Sequence, residues 1–197
     1  MFEIFLHKKT RICVDFTFFA AMALFFYIDK NGMGLMSVAA CVIHECGHLL
    51  ALFIEKRDFN SLTFYGGGIK IGYEKKHGAS VFLLSAGSIL NIVIFIFFYF
   101  IFTMQIDLKI FAIINLIIGI FNLLPIKYFD GGQLLEKGLI KKYNAQKAFL
   151  ILRKTEIITM FIVVIAIILL IMYRQINISA LIIMIYVIVS DIIMKIK

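Results

Sequence analysis

About six apolar runs, each near the length that spans a hydrocarbon core, mark the chain: Ile12–Ile28, Gly34–Ile54, Val81–Phe102, Ile110–Ile126, Ile157–Tyr173 and Ile178–Met194. Short polar connections separate three neighbouring pairs, at Asp29–Met33, Thr103–Lys109 and Arg174–Asn177. Two connections are long, Glu55–Ser80 and Lys127–Glu156. The pattern predicts an all-α membrane protein of about six transmembrane helices, built as a single polytopic domain over residues 1–197. One stretch departs from it. Leu62-Thr-Phe-Tyr-Gly-Gly-Gly-Ile-Lys-Ile-Gly-Tyr73 sets β-branched and aromatic residues around three glycines, which predicts a small β-hairpin or sheet between spans two and three. A free strand edge there could pair with an extended substrate.

Composition supports a lipid-embedded fold. Hydrophobic residues make up 62% of the chain, and the mean hydropathy is +1.01, well beyond a soluble domain. No cleavage site of the A-x-A kind follows the first apolar run, so that run is expected to stay as a helix. The net charge of +8 fits positive-inside bias and attraction to the anionic lipid bilayer, and no nucleic-acid partner is expected. Every Lys and Arg except Lys30, Lys109 and Arg174 falls on one side of a six-span layout. The positive-inside rule then puts both termini and both long connections in the cytosol. Cys13, Cys41 and Cys46 all fall in apolar runs without a metal-type C-x-x-C pair, so no disulfide framework is expected.

Within the second run stands His44-Glu45-Cys46-Gly47-His48, an H-E-x-x-H motif. On a helix the two histidines are one turn apart on one face, so both imidazoles can hold one Zn²⁺. Glu45 sits beside them as a general base for the attacking water. Such residues are costly in lipid, and metal binding compensates for that cost. Cys46 points off the histidine face and reads as packing.

A catalytic zinc usually takes three protein ligands. His7 and His77 lie in charged segments and read as solvated surface residues. Asp130 is the better candidate, in Asn122-Leu-Leu-Pro125-Ile-Lys-Tyr-Phe-Asp130-Gly131-Gly132. Pro125 disturbs the end of the fourth helix and the glycines let the backbone turn. Non-helical backbone at membrane depth is tolerated where it lines a site. Depth links these groups. His44 lies about 16 Å from the cytosolic end of its span at about 1.5 Å per residue. The cluster Ala86-Gly87-Ser88-Ile89-Leu90-Asn91 and the stretch Asn122–Asp130 belong to the same cytosolic half. Asp15 and Asp191 read as interfacial, solvated carboxylates.

Together these residues resemble the site-2 protease family of intramembrane zinc metalloproteases. The resemblance rests on His44-Glu45-x-x-His48, on the third-helix motif ending at Asn91, and on Asn122-x-x-Pro125 with Asp130-Gly131. Layout and length look most like the stage IV sporulation protein FB branch. The resemblance implies His44, His48 and Asp130 as zinc ligands and Glu45 as general base. It places Asn91 and Asn122 near the site as substrate or oxyanion support, within a catalytic core of about residues 34–135. It also implies a membrane-tethered substrate cut near the cytosolic face, such as a sigma-factor precursor, and a small membrane inhibitory partner, in a bacterial cell or forespore membrane. Ser88, Tyr128 and Phe129 depart from the family's usual proline, proline and leucine, and none of them removes a ligand. The alternative is a proteolytically inactive membrane zinc-binding or transport protein. Transporters want several sites along a pathway and usually a repeat, and here neither is visible.

Overall fold

Ile12-Cys-Val14 opens the first apolar run, yet these residues pair within the strand Thr10–Val14 rather than enter a helix. The molecule is a computed structural model that describes residues 2–6, 10–16, 18–19, 22–23, 27, 32–57, 59–65, 68–73, 78–102, 105–127 and 129–172. It divides into two compact units, residues 1–122 and 123–197.

In the first unit, β1 (Phe2–Leu6) and β2 (Thr10–Val14) pair antiparallel, from Phe2 opposite Val14 to Leu6 opposite Thr10. The helix α1 (Met33–Ile54) follows, then β3 (Phe59–Tyr65) and β4 (Gly68–Tyr73). β3 and β4 form the predicted hairpin, antiparallel from Phe59 opposite Tyr73 to Tyr65 opposite Gly68. β2 runs parallel to β3, Arg11 opposite Ser61 and Val14 opposite Phe64, giving a four-stranded sheet in the order β1-β2-β3-β4. The Asp15 N–H carries the pairing one step on, to Phe64 O at 2.8 Å. A parallel pair needs a long crossover, and the chain segment that holds α1 supplies it. Hydropathy alone placed the whole of Ile12–Ile28 in a span. The strand corrects its beginning, because pairing with β3 outweighs local apolarity, and the described residues from Phe16 to Tyr27 are helical.

The helices α1, α2 (Val81–Ile101) and α3 (Ile106–Asn122) pack together in this unit. α1 has 22 residues and α2 has 21, and among the described residues these two are long and apolar enough to cross a membrane. Such lengths give about 32 Å of helix against a hydrocarbon core of about 30 Å. Their outer faces expose Leu50, Phe53, Ile54, Phe97 and Phe100, a surface suited to lipid and unsuited to water. α1 closes on Lys56, whose φ of 52° is left-handed, while Arg57 N–H returns to Leu52 O at 2.9 Å. α2 starts on Ser80, whose Oγ accepts Leu83 N–H at 2.8 Å. That hydroxyl donates to the Glu55 carboxylate, which pairs with Arg57 Nε at 2.8 Å. A polar clamp therefore ties the end of α1 to the start of α2.

The helices approach closely because small residues line their contacts: Ala40, Gly47 and Ala51 on α1, Ala86 and Gly87 on α2, Ala112 and Gly119 on α3. A Cβ at Gly47 would lie 2.6 Å from Ala86 O and 2.8 Å from Gly87 Cα. One at Gly119 would lie 3.2 Å from Asn91 Cβ. Phe98 and Phe111 add an edge-to-face contact between α2 and α3, their centroids 5.7 Å apart.

The second unit opens with a turn over 123–129, after α3 has ended at Asn122. Pro125 has no N–H to continue a helix, and it restricts the residue before it. The turn closes through Ile126 N–H to Leu124 O at 2.8 Å and Phe129 N–H to Ile126 O at 2.9 Å. α4 (Asp130–Lys142) begins directly after it. A Cβ on Gly131 or Gly132 would run into the carbonyls of Leu123 and Ile126, so only glycine fits there. α5 (Ala145–Met172) follows, its first turn capped by Asn144 Oδ1, which accepts Lys147 N–H at 2.9 Å. Ala148, Leu152 and Glu156 form its buried stripe at helical spacing. The Glu156 carboxylate accepts Lys127 N–H at 3.3 Å and so braces the turn. The long connection Lys127–Glu156 is thus largely helical. Its many charged residues hid an amphipathic helix from a reading by hydropathy. The sixth predicted run, Ile178–Met194, lies outside the described residues, as do His7, His77, Tyr128 and Asp191.

Candidate metal centre

One turn of α1 separates His44 and His48, and the helix brings their Nε2 atoms to 3.2 Å from each other. His48 Nδ1 lies 2.8 Å from Leu83 O, in the first turn of α2. A main-chain carbonyl only accepts, so Nδ1 carries the proton and Nε2 keeps its lone pair. His44 Nδ1 lies 3.0 Å from Asn91 Oδ1. Asn91 Nδ2 in turn donates to Ala40 O at 3.1 Å and to Asn115 Oδ1 at 3.0 Å. With both N–H bonds so directed, Oδ1 is the atom that faces His44, and His44 also carries its proton on Nδ1.

With each Nδ1 directed to its oxygen acceptor, the two Nε2 atoms face each other at 3.2 Å. A cation shared by the two nitrogens suits that spacing. Two nitrogens on one tetrahedral zinc stand about 3.3 Å apart, given bonds of about 2.0–2.1 Å. Gly87 clears the space. A Cβ there would lie 2.6 Å from His48 Nε2 and 2.7 Å from His44 Nε2. Two imidazoles, each oriented through its Nδ1, fit zinc by donor chemistry and by the tautomers their partners impose.

Glu45 is half-buried on α1, directly after His44. Cys46 is exposed, off the histidine face, and Cys13, Cys41 and Cys46 are all free thiols. Asn91 is fully buried, and its amide is occupied by His44, Ala40 and Asn115. Its Nδ2 is directed to Ala40 O and Asn115 Oδ1, and its Oδ1 to His44. Asn122 directs its Nδ2 to Ile118 O of its own helix at 3.0 Å, outside that network. Asp130, in the second unit, is the half-buried first residue of α4. Leu83 O and Asn115 join these contacts without having been expected from sequence, whereas Gly87 belongs to the third-helix cluster named there. An amide at position 115, inside the fourth apolar run, was the one available signal, since polar groups there are costly in lipid.

Residues 104–170 match the sequence profile of Peptidase family M50. That stretch includes Asn115, Asn122 and Asp130 but not the histidine pair. No curated protein matches the chain. Among solved structures it is similar to the site-2 protease from Methanocaldococcus jannaschii, with a TM-score of 0.64 and 21% identity over 96% of this chain and 93% of that one. The chain therefore has the fold of that site-2 protease, with an M50 peptidase match over α3, α4 and most of α5.

Proposed function

We propose that the protein is an intramembrane zinc metalloprotease. It hydrolyses a peptide bond of a membrane-tethered substrate near the cytosolic face. The observation that carries this reading is the His44–His48 pair, with Nε2 atoms 3.2 Å apart and both Nδ1 atoms held by oxygen acceptors. The M50 match and the site-2 protease fold agree with it.

His44 and His48 hold the metal through Nε2, and Asp130 is the third ligand by donor chemistry and by the D-G motif. Bound zinc supplies Lewis acidity toward a water and the scissile carbonyl. Glu45 takes the proton of the attacking water on its carboxylate and returns it to the leaving amine nitrogen. Neither histidine can do this while its lone pair is committed. Asn91 holds His44 rather than the substrate, and Asn122 remains the candidate for substrate support.

The topology that suits this reading has about six spans, with both termini and the hairpin side in the cytosol, on the strength of the Lys and Arg distribution. A membrane-tethered regulator such as a sigma-factor precursor is the substrate class we favour, with a small membrane protein as inhibitory partner. The β4 edge is suited to hold such a substrate extended, because main-chain pairing is indifferent to sequence.

The test uses the full chain in proteoliposomes with a single-span reporter. Wild type should contain about one zinc per chain and cut the reporter near its cytosolic boundary. Glu45→Gln should keep zinc and reporter binding while cleavage falls by about 100-fold or more. Cleavage at the wild-type rate by Glu45→Gln would refute the mechanism. Wild-type protein without metal would refute the centre itself.

A further inference from the structure

Asn115 lies in the middle of α3, fully buried, in an apolar run that has no local need for an amide. Its Nδ2 donates to Phe111 O, one turn back, at 2.9 Å. A main-chain carbonyl cannot donate, so this bond fixes which end of the amide is which. Asn115 Oδ1 therefore faces Asn91 and accepts its Nδ2 at 3.0 Å. The other N–H of Asn91 is fixed independently by a second main-chain carbonyl, Ala40 O, at 3.1 Å. Only then does Asn91 Oδ1 point at His44 Nδ1, at 3.0 Å.

We propose that Asn115 is a positioning residue for the metal centre: through Asn91 it sets the tautomer of His44 and so keeps the His44 Nε2 lone pair available to metal. This deepens the zinc-site reading and rests on it. The logic is one of amide direction. If Asn91 turned its amide over, its NH2 would face His44 Nδ1. The imidazole would then accept at Nδ1 and carry its proton on Nε2, where it cannot bind a cation. Two carbonyl oxygens oppose that flip, one from Ala40 and one from Asn115. Removing the Asn115 oxygen leaves a buried Asn91 N–H without an acceptor and halves the opposition. His48 has its own main-chain acceptor, Leu83 O, and is independent of this relay.

The relay also explains why a second asparagine stands so deep in the bundle. A buried polar chain is tolerated when each member is satisfied, and here every link ends on a main-chain carbonyl or on the histidine. Ala40, Asn91 and Asn115 come from α1, α2 and α3 respectively, so the tautomer of one ligand depends on all three helices being packed.

The experiment measures metal affinity, not cleavage. Full-length protein in detergent, stripped of metal, is titrated with Zn²⁺ against a chromophoric chelator, and Co²⁺ is used for the ligand-field spectrum. Asn115→Leu should bind Zn²⁺ about 10–100-fold more weakly, the usual effect of losing an outer-shell partner. Asn115→Asp should restore affinity to within about 3-fold, since a carboxyl oxygen still accepts from Asn91. A purely structural role would lower the thermal midpoint of Asn115→Leu while leaving its affinity at the wild-type value, and that result overturns the proposal. Equal losses in Asn115→Leu and Asn115→Asp overturn it as well. Should Asn115→Leu fail to fold, Asn115→Ser, whose hydroxyl is too short to reach Asn91, takes its place with the same two outcomes. His48→Ala distinguishes the relay from the zinc site itself. If wild type and His48→Ala bind alike, the zinc-site reading fails and the relay with it. If His48→Ala loses metal while Asn115→Leu does not, only the relay fails.

Discussion

Asn91 reaches across from α2 to His44 on α1 and accepts the imidazole Nδ1–H at 3.0 Å, which directs the opposite ring nitrogen toward its partner His48. This bond makes Asn91 a determinant of metal affinity. Asn91→Leu keeps the volume and removes the acceptor. Zinc affinity should fall by about 10–100-fold, as for other outer-shell partners of metal-bound histidines. Competition titration against a chelator reads this directly, and wild-type affinity in a folded Asn91→Leu protein would remove Asn91 from the centre.

Gly87 and Gly47 separate packing from chemistry. A methyl on Gly87 would stand 2.6 Å from His48 Nε2 and 2.7 Å from His44 Nε2, in the space a cation needs. Gly87→Ala should lose most of its zinc and its cleavage. A methyl on Gly47 meets main chain instead, 2.6 Å from Ala86 O. Gly47→Ala should cost about 1–3 kcal/mol of stability through overpacking. Thermal unfolding in detergent, run beside metal content, distinguishes them. Full zinc occupancy in Gly87→Ala would show that the cation does not sit where the two Nε2 atoms point.

Asp130 is tested by its charge. Asp130→Ala should lower zinc content and affinity, because a three-ligand centre then has two protein donors. Asp130→Glu should recover part of the affinity, since the carboxylate is retained on a longer stem. If Asp130→Ala binds zinc as wild type does, the third ligand lies elsewhere in the chain.

Topology has its own readout. Single cysteines introduced at Lys56 and Lys142 in a cysteine-free background should both label from the cytosol in intact cells. One at Gln105 should label from the opposite face. All three positions are exposed. Labelling of Lys56 and Lys142 from opposite sides would remove a span between them and undo the depth argument.

The sequence alone determined the lipid-facing character of the chain, the helices over 34–54 and 81–102 to within a residue, the hairpin within 62–73, and the pairing of His44 with His48. These follow from local physics: apolar length against bilayer thickness, glycine between β-formers, and a one-turn helical spacing. Tertiary structure decided what local pattern could not reach. Residues 12–14 belong to a strand because β3 lies beside them, although they read as the start of a span. α4 and the beginning of α5 emerged from a charged connection because their apolar stripe is narrow and finds a partner only on packing. Asn91 stood out in the sequence as a buried amide, but only contact with Ala40, Asn115 and His44 shows which end of that amide faces the ring. Asn115 carried no motif at all. Its role depends on three helices, distant in sequence, meeting at one point, and hydrogen-bond direction across such a junction is a property of the packed fold.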